Sequence, residues 1–175
     1  MNDIAKIIAL DTVRIERVLP GPIERLWSYL VEPEKRAQWF AGGPMELAAG
    51  GKMELFFQHN NLTDEPAPER FAAAAAGLKS PGVITRCEPP HTLAFNWGVG
   101  SDASEVLFEL REQDGDVLLV LTHSRLSGRD GMVNVGSGWH LHLLLLDDLL
   151  RGKPRRPFWA TQARLEKQYD EQLPR

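Results

Sequence analysis

Between Gly138 and Leu150 the chain reads Gly-Trp-His-Leu-His-Leu-Leu-Leu-Leu-Asp-Asp-Leu-Leu. Wound as a helix, Leu141, Leu145, Leu149, Leu146, Leu150, Trp139 and Leu143 sweep roughly 200° of the wheel, against ~100° for an ordinary surface helix. His142 falls inside that arc, while His140, Asp147 and Arg151 share the polar side. A stripe this wide needs a broad cover, such as the mouth or floor of a curved sheet. A histidine within it points to a covered space that is not wholly dry, and so to a binding cavity.

The rest of the chain supplies such a sheet. Val13 and Ile15 alternate with Arg14 and Glu16 over residues 12–18, the pattern of a half-buried strand. Pro20-Gly21-Pro22 breaks it. Pro22 and Glu24 then suit the start of a short helix carrying Ile23, Leu26, Trp27 and Leu30. A second short helix is expected from Pro33, with Trp39 and Phe40 near its end. Period-two patterning returns at 45–47 and 53–57, flanking Ala49-Gly50-Gly51 as a hairpin turn. Further strands are expected at 82–88, 91–97, 105–111 and 117–124, turned by Pro89-Pro90 and Asp114-Gly115.

Residues 58–80 break this rhythm with Pro66, Pro68 and the alanines from Ala72 to Ala76. They read as a long loop with a short helix or as a flap over a cavity, the alternative being a surface excursion without a role. Gly98-Val99-Gly100 and Gly136-Ser137-Gly138 read as turns, since neither has the lysine of a P-loop or the Rossmann spacing. After Gly152 and Pro154 an amphipathic piece runs from Phe158 to about Glu171. The expected organisation is one domain over 1–175, with a core at 11–151, the excursion at 58–80 and a helical tail at 152–175.

A net charge of -4 argues against a nucleic-acid surface. Arg151, Lys153, Arg155 and Arg156 cluster between Gly152, Pro154 and Pro157, and read as solvated loop charge. Cys87 is the one cysteine, which fits a reducing compartment, and its strand-like setting suggests an inert thiol. The apolar run from Ile4 to Leu10 is too short for a signal peptide, and no segment has the ~20 apolar residues of a membrane span. A cytoplasmic location is expected.

The ordered set of Pro22-Ile23-Glu24-Arg25-Leu26-Trp27, Trp39-Phe40, Gly50-Gly51, Gly82-Val83-Ile84, Glu88-Pro89-Pro90-His91-Thr92-Leu93-Ala94-Phe95-Asn96-Trp97, Val106-Leu107-Phe108-Glu109-Leu110, Leu121-Thr122-His123 and Gly138-Trp139 resembles the START-like (SRPBCC) superfamily. Within it, the chain resembles the homologues of the activator of the 90-kDa heat-shock protein ATPase. That resemblance implies an α+β helix-grip (START-like, Bet v-like) fold. In it a curved antiparallel sheet of about seven strands wraps a long C-terminal helix, with two short helices after the first strand. It further implies cofactor-free binding of a hydrophobic ligand in many members, and hydrolase, cyclase or chaperone-partner roles in others.

The candidate site follows from the strand register. A two-residue Asp114-Gly115 turn sets Gln113 against Asp116, Leu110 against Leu119, Phe108 against Leu121 and Val106 against His123, so His123 turns inward with Val106. A three-residue bulged turn would turn Thr122 inward instead; Asp-Gly favours the first. His123 and His142 then look into one interior, either as satisfied structural groups or as recognition of a polar group on an apolar ligand. A general-base role is the weakest reading. Trp97, Trp139, Trp39, Phe40, Phe57, Phe108 and Leu146 are the expected walls.

His140 and His142 point about 200° apart and cannot share a metal ion. No metal, cofactor or catalytic residue is expected. The reading that results is a binder of a small, largely apolar molecule rather than an enzyme. A chaperone or other protein partner, a cofactor-free hydrolase or cyclase, and a homodimer stay open as alternatives.

Overall fold

A computed structural model describes residues 4–173; Met1 to Asp3, Pro174 and Arg175, which the expected 1–175 span includes, lie outside the described residues. The elements run β1 (Lys6–Ala9), β2 (Thr12–Pro20), α1 (Ile23–Val31), α2 (Pro33–Arg36), β3 (Lys52–Phe57), α3 (Ala72–Gly77), β4 (Leu78–Glu88), β5 (Thr92–Trp97), β6 (Ser104–Gln113), β7 (Asp116–Ser124), α4 (Gly128–Leu150) and α5 (Phe158–Gln172). The described strands form one antiparallel, curved sheet in the order β1-β2-β7-β6-β5-β4-β3, and α4 lies along it. The α+β helix-grip expectation holds.

The β6–β7 hairpin shows how local chemistry sets the interior. Asp114 and Gly115 take φ of 52° and 86°, the double positive φ of a type I′ turn. Gln113 pairs with Asp116, Leu110 with Leu119, Phe108 with Leu121 and Val106 with His123. Because side chains alternate along a strand, this register buries all of Val106, Phe108, Leu110, Leu119, Leu121 and His123.

Several boundaries differ from those expected. The seven strands include β1, which was not anticipated, and exclude 45–47, where Met45 makes a single bridge to Met53. An edge strand of exposed residues has no apolar alternation to announce it. The 58–80 excursion is ordered into single turns at His59–Asn61 and Glu69–Phe71, the helix α3 and the first residues of β4.

The largest correction concerns α4, which begins at Gly128 and so runs straight through Gly136-Ser137-Gly138. Those residues are not a turn. A Cβ at Gly136 would lie 2.7 Å from Tyr169 Cε1, so glycine there lets α5 approach the helix. This contact also explains the wide apolar arc. The sheet covers one side of α4 and α5 covers another, burying His140, whose Nδ1 lies 3.2 Å from Tyr169 Oη, on the side expected to be polar. Arg156, expected to be solvated, grips the buried Asp148 through Nε and Nη2 at 2.6 and 2.7 Å. Cys87 is half-buried in β4, and burial pushes its thiol pKa up, which disfavours the thiolate.

Candidate functional site

A cavity of about 370 Å³ lies between α4 and the sheet. On α4, Val135, Gly138, Trp139 and His142 line it at the i, i+3, i+4, i+7 spacing of one helix face. From the sheet come Phe57 on β3, Trp97 on β5, Ser104 on β6 and His123 on β7. Phe40, in the turn after α2, fills the middle: its ring centre is 4.6 Å from Trp139, 5.1 Å from His142 and 5.3 Å from Phe57. Trp97 stacks between Phe57 and His123 at centroid distances of 5.5 and 5.6 Å. The fourth wall brings in the 58–80 excursion, expected as a loop or flap, through residues that were not among the expected lining. It consists of His59, Phe71, Ala74 and Leu78 from the excursion, with Phe158, Trp159 and Gln162 from α5.

The three histidines of the wall are in different states of satisfaction. Trp139 donates its indole N–H to His123 Nδ1 at 3.0 Å, so the ring proton is on Nε2, which donates to Ser104 Oγ at 2.8 Å. Both nitrogens of His123 are therefore committed inside the protein. His142 donates through Nδ1 to the Trp39 carbonyl at 2.7 Å, which leaves Nε2 as an acceptor. Neither nitrogen of the buried His59 has a partner among the described residues. Burial holds His59 and His123 down at about 4. Burial, with the neighbouring His59 ring, holds His142 at about 3, against the opposing pull of its bond to Trp39. All three are neutral at pH 7.

Of the expected wall residues, Phe40, Phe57, Trp97, His123, Trp139 and His142 meet at this cavity. Trp39, Phe108 and Leu146, also expected there, do not reach it. Trp39 is wholly buried and donates its indole N–H to the Tyr29 carbonyl at 2.9 Å. Trp39 and Phe108 border a separate void of about 10 Å³, and Leu146 is buried in the core. Each sits one layer behind the wall, a distinction of depth that alternation along a strand or helix does not encode. His123 and His142 bond to different partners, with Phe40 and Trp139 packed between them.

The excursion is tied to α5. Glu65 accepts the Trp159 N–H at 2.9 Å and the Ala160 N–H at 3.4 Å, capping the start of the helix from a distant segment. Arg70 pairs with Glu166, and Phe71 stacks on Trp159 at 5.2 Å. Glu65→Ala is therefore expected to cost about 1 kcal/mol, as for loss of an N-cap. It should also speed limited proteolysis within residues 60–78; unchanged cleavage would show that the cap does not hold this segment down.

No described helix is long and apolar enough to cross a membrane. Among the described residues, no group of three or more His, Cys, Asp or Glu side chains is placed to hold a metal ion.

Residues 20–151 match the model of the Activator of Hsp90 ATPase homolog 1-like protein family. The chain belongs to this family. Its α5, which supplies Phe158, Trp159 and Gln162 to the cavity, lies beyond the matched stretch. A Bordetella parapertussis protein solved by solution NMR is 45% identical, with a TM-score of 0.83 over 98% of this chain and 90% of that one. CalU16 from Micromonospora echinospora, solved by crystallography, is 24% identical, with a TM-score of 0.67 over 91% and 86% of the two chains. DynU16, from the dynemicin biosynthetic locus, is 22% identical, with a TM-score of 0.64 over 84% of this chain and 50% of that one. At those identities the last two share the fold. No curated protein matches the chain.

Proposed function

We propose that this family member binds a small, largely apolar molecule in the cavity between the sheet and α4, within the cytoplasm. The observation that carries the reading is the cavity itself. Its volume of about 370 Å³ falls within the ~300–1,000 Å³ typical of small-molecule sites, and aromatic rings dominate its wall. Phe40, Phe57, Trp97 and Trp139 supply the apolar contact, and His142 Nε2 offers an acceptor. His123 contributes its stacked face, since its nitrogens already have partners. Among the described residues, no Asp, Glu, Lys or Arg lines the cavity, so a binding role is favoured over hydrolysis or cyclisation.

Gly138→Leu tests this reading. Gly138 lines the cavity, and a Cβ built there meets nothing within 4 Å, so the new side chain enters open space. Replacing a helix-interior glycine also adds roughly 0.5–1 kcal/mol of helix stability. The expected result is loss of small-molecule binding, read by native mass spectrometry and tryptophan fluorescence, with the melting temperature kept or raised. Retained binding in a well-folded variant would sink the reading. The family description keeps a chaperone partner as the rival, and stimulation of a chaperone ATPase that survives Gly138→Leu would favour it.

A further inference from the structure

The end of the cavity formed by the excursion and α5 holds an unusual set of polar atoms. His59 Nδ1, His59 Nε2, Trp159 Nε1 and Gln162 Oε1 are all shielded from solvent, and none has a hydrogen-bond partner among the described residues. The three residues are more than nine-tenths buried, and each lines the cavity. They lie together: the His59 ring is 5.6 Å from both Trp159 and His142, and Gln162 is one helical turn on from Trp159. The orientation of the Gln162 amide is set by its other contacts. Nε2 donates to Ser137 Oγ and to Glu166 Oε1, both at 3.1 Å; a carboxylate only accepts, so the orphaned atom is the carbonyl oxygen.

A buried polar atom without a partner costs roughly 1–3 kcal/mol, and native proteins rarely leave several in one place. The set is also chemically specific. Trp159 Nε1 can only donate, Gln162 Oε1 can only accept, and a neutral His59 ring does one of each. A ketone or ether would satisfy the donors and leave Gln162 unpaired, whereas a hydroxyl or primary amide both donates and accepts. Among the described residues no charged side chain lines the cavity, so an ion brought here would lose its hydration without gaining a counter-charge.

Resting on the small-molecule reading above, we propose that the cavity selects neutral ligands whose apolar body ends in a hydroxyl or primary amide. The His59, Trp159 and Gln162 groups take that polar end, and carboxylates and amines of the same skeleton are rejected.

A matched series on one skeleton tests it: 2-methylnaphthalene, 2-naphthol, 2-naphthamide, 2-naphthoate and 2-naphthylmethylammonium, titrated at pH 7 against tryptophan fluorescence. The naphthol and the amide should bind at least about tenfold tighter than the methyl compound, and both ions more weakly than the methyl compound. In Gln162→Leu and His59→Phe the ratio of naphthol to methylnaphthalene affinity should fall to within about threefold. Circular dichroism and the melting temperature check that either variant has kept its fold. If methylnaphthalene binds and naphthol binds no better, the polar atoms serve water and this inference alone falls. Tighter binding of naphthoate would likewise overturn it. If no member of the series binds, the small-molecule reading itself fails, and this inference with it.

Discussion

Arg36→Leu is expected to destabilise the protein by about 3–5 kcal/mol, the range for stripping a buried ionic group from its partners. Arg36 is 2% exposed. Its guanidinium donates to the carbonyls of Leu30 and Val31 at 3.2 Å, of Ala41 at 2.9 Å, of Gly42 at 3.2 Å and of Gly43. The first two end α1, where carbonyls have no intrahelical partner and carry the negative end of the helix dipole. The other three belong to the turn that follows Phe40. One side chain thus closes the end of a helix and fixes the turn that places Phe40 in the cavity.

Burial lowers the Arg36 pKa to about 10, with Glu34 opposing, so the group stays charged at pH 7. Leucine would fill much of the space and remove this donor set, leaving the Gly42 carbonyl with its bond from the Phe56 N–H. Arg36→Lys keeps the charge without the planar fork, and an intermediate loss is expected. Urea unfolding at constant slope reads both. A loss below about 1 kcal/mol for Arg36→Leu would mean that the turn holds itself.

The second large effect is acid unfolding. His59, His123 and His142 have folded pKa values of about 4, about 4 and about 3, below the ordinary 6.5. Lowered folded values mean that the unfolded chain takes up protons first. The histidine contribution to stability is therefore whole above pH 6.5, falls as pH drops, and levels off below about pH 3–4. Between these limits each histidine contributes a slope approaching about 1.4 kcal/mol per pH unit. Three such groups together remove roughly 6 kcal/mol by pH 5, which matches the low end of the roughly 5–15 kcal/mol by which folded domains are stable.

His123 supplies the local reason, since protonating its Nδ1 would set two donors, that nitrogen and the Trp139 N–H, against each other. Urea midpoints between pH 8 and pH 4.5 measure the curve, and His142→Phe should remove about a third of its slope. Equal stability at pH 7 and pH 5 would refute this account.

The fold was legible where a local rule and a tertiary requirement coincide. Asp114-Gly115 prescribes a type I′ turn, and the alternation of Val106, Phe108 and Leu110 prescribes which face turns in, so the inward aim of His123 could be read from residue order. The lining of the candidate cavity was legible on that sheet face and on one face of α4. It was not legible in the excursion, because His59 sits among Gln58, Asn60 and Asn61 with no period to assign it a face. Nor could the state of each histidine be read. Whether a ring nitrogen is satisfied depends on atoms far away in the chain, such as the Trp39 carbonyl for His142.

The span from Gly138 to Leu150 holds the same division. Its residue order determined that it would be helical, apolar over an unusually wide arc and studded with histidine, because side-chain chemistry and helical period are local properties. Only the tertiary structure decided what that arc faces. The helix begins ten residues earlier and runs through Gly136, which admits Tyr169, and it lies between the sheet on one side and α5 on another. The breadth of the stripe reflects two covers rather than one, and the cavity occupies the gap where sheet, α4, α5 and the excursion do not close. Such a gap belongs to the space between elements, and a periodicity within one element carries no record of it.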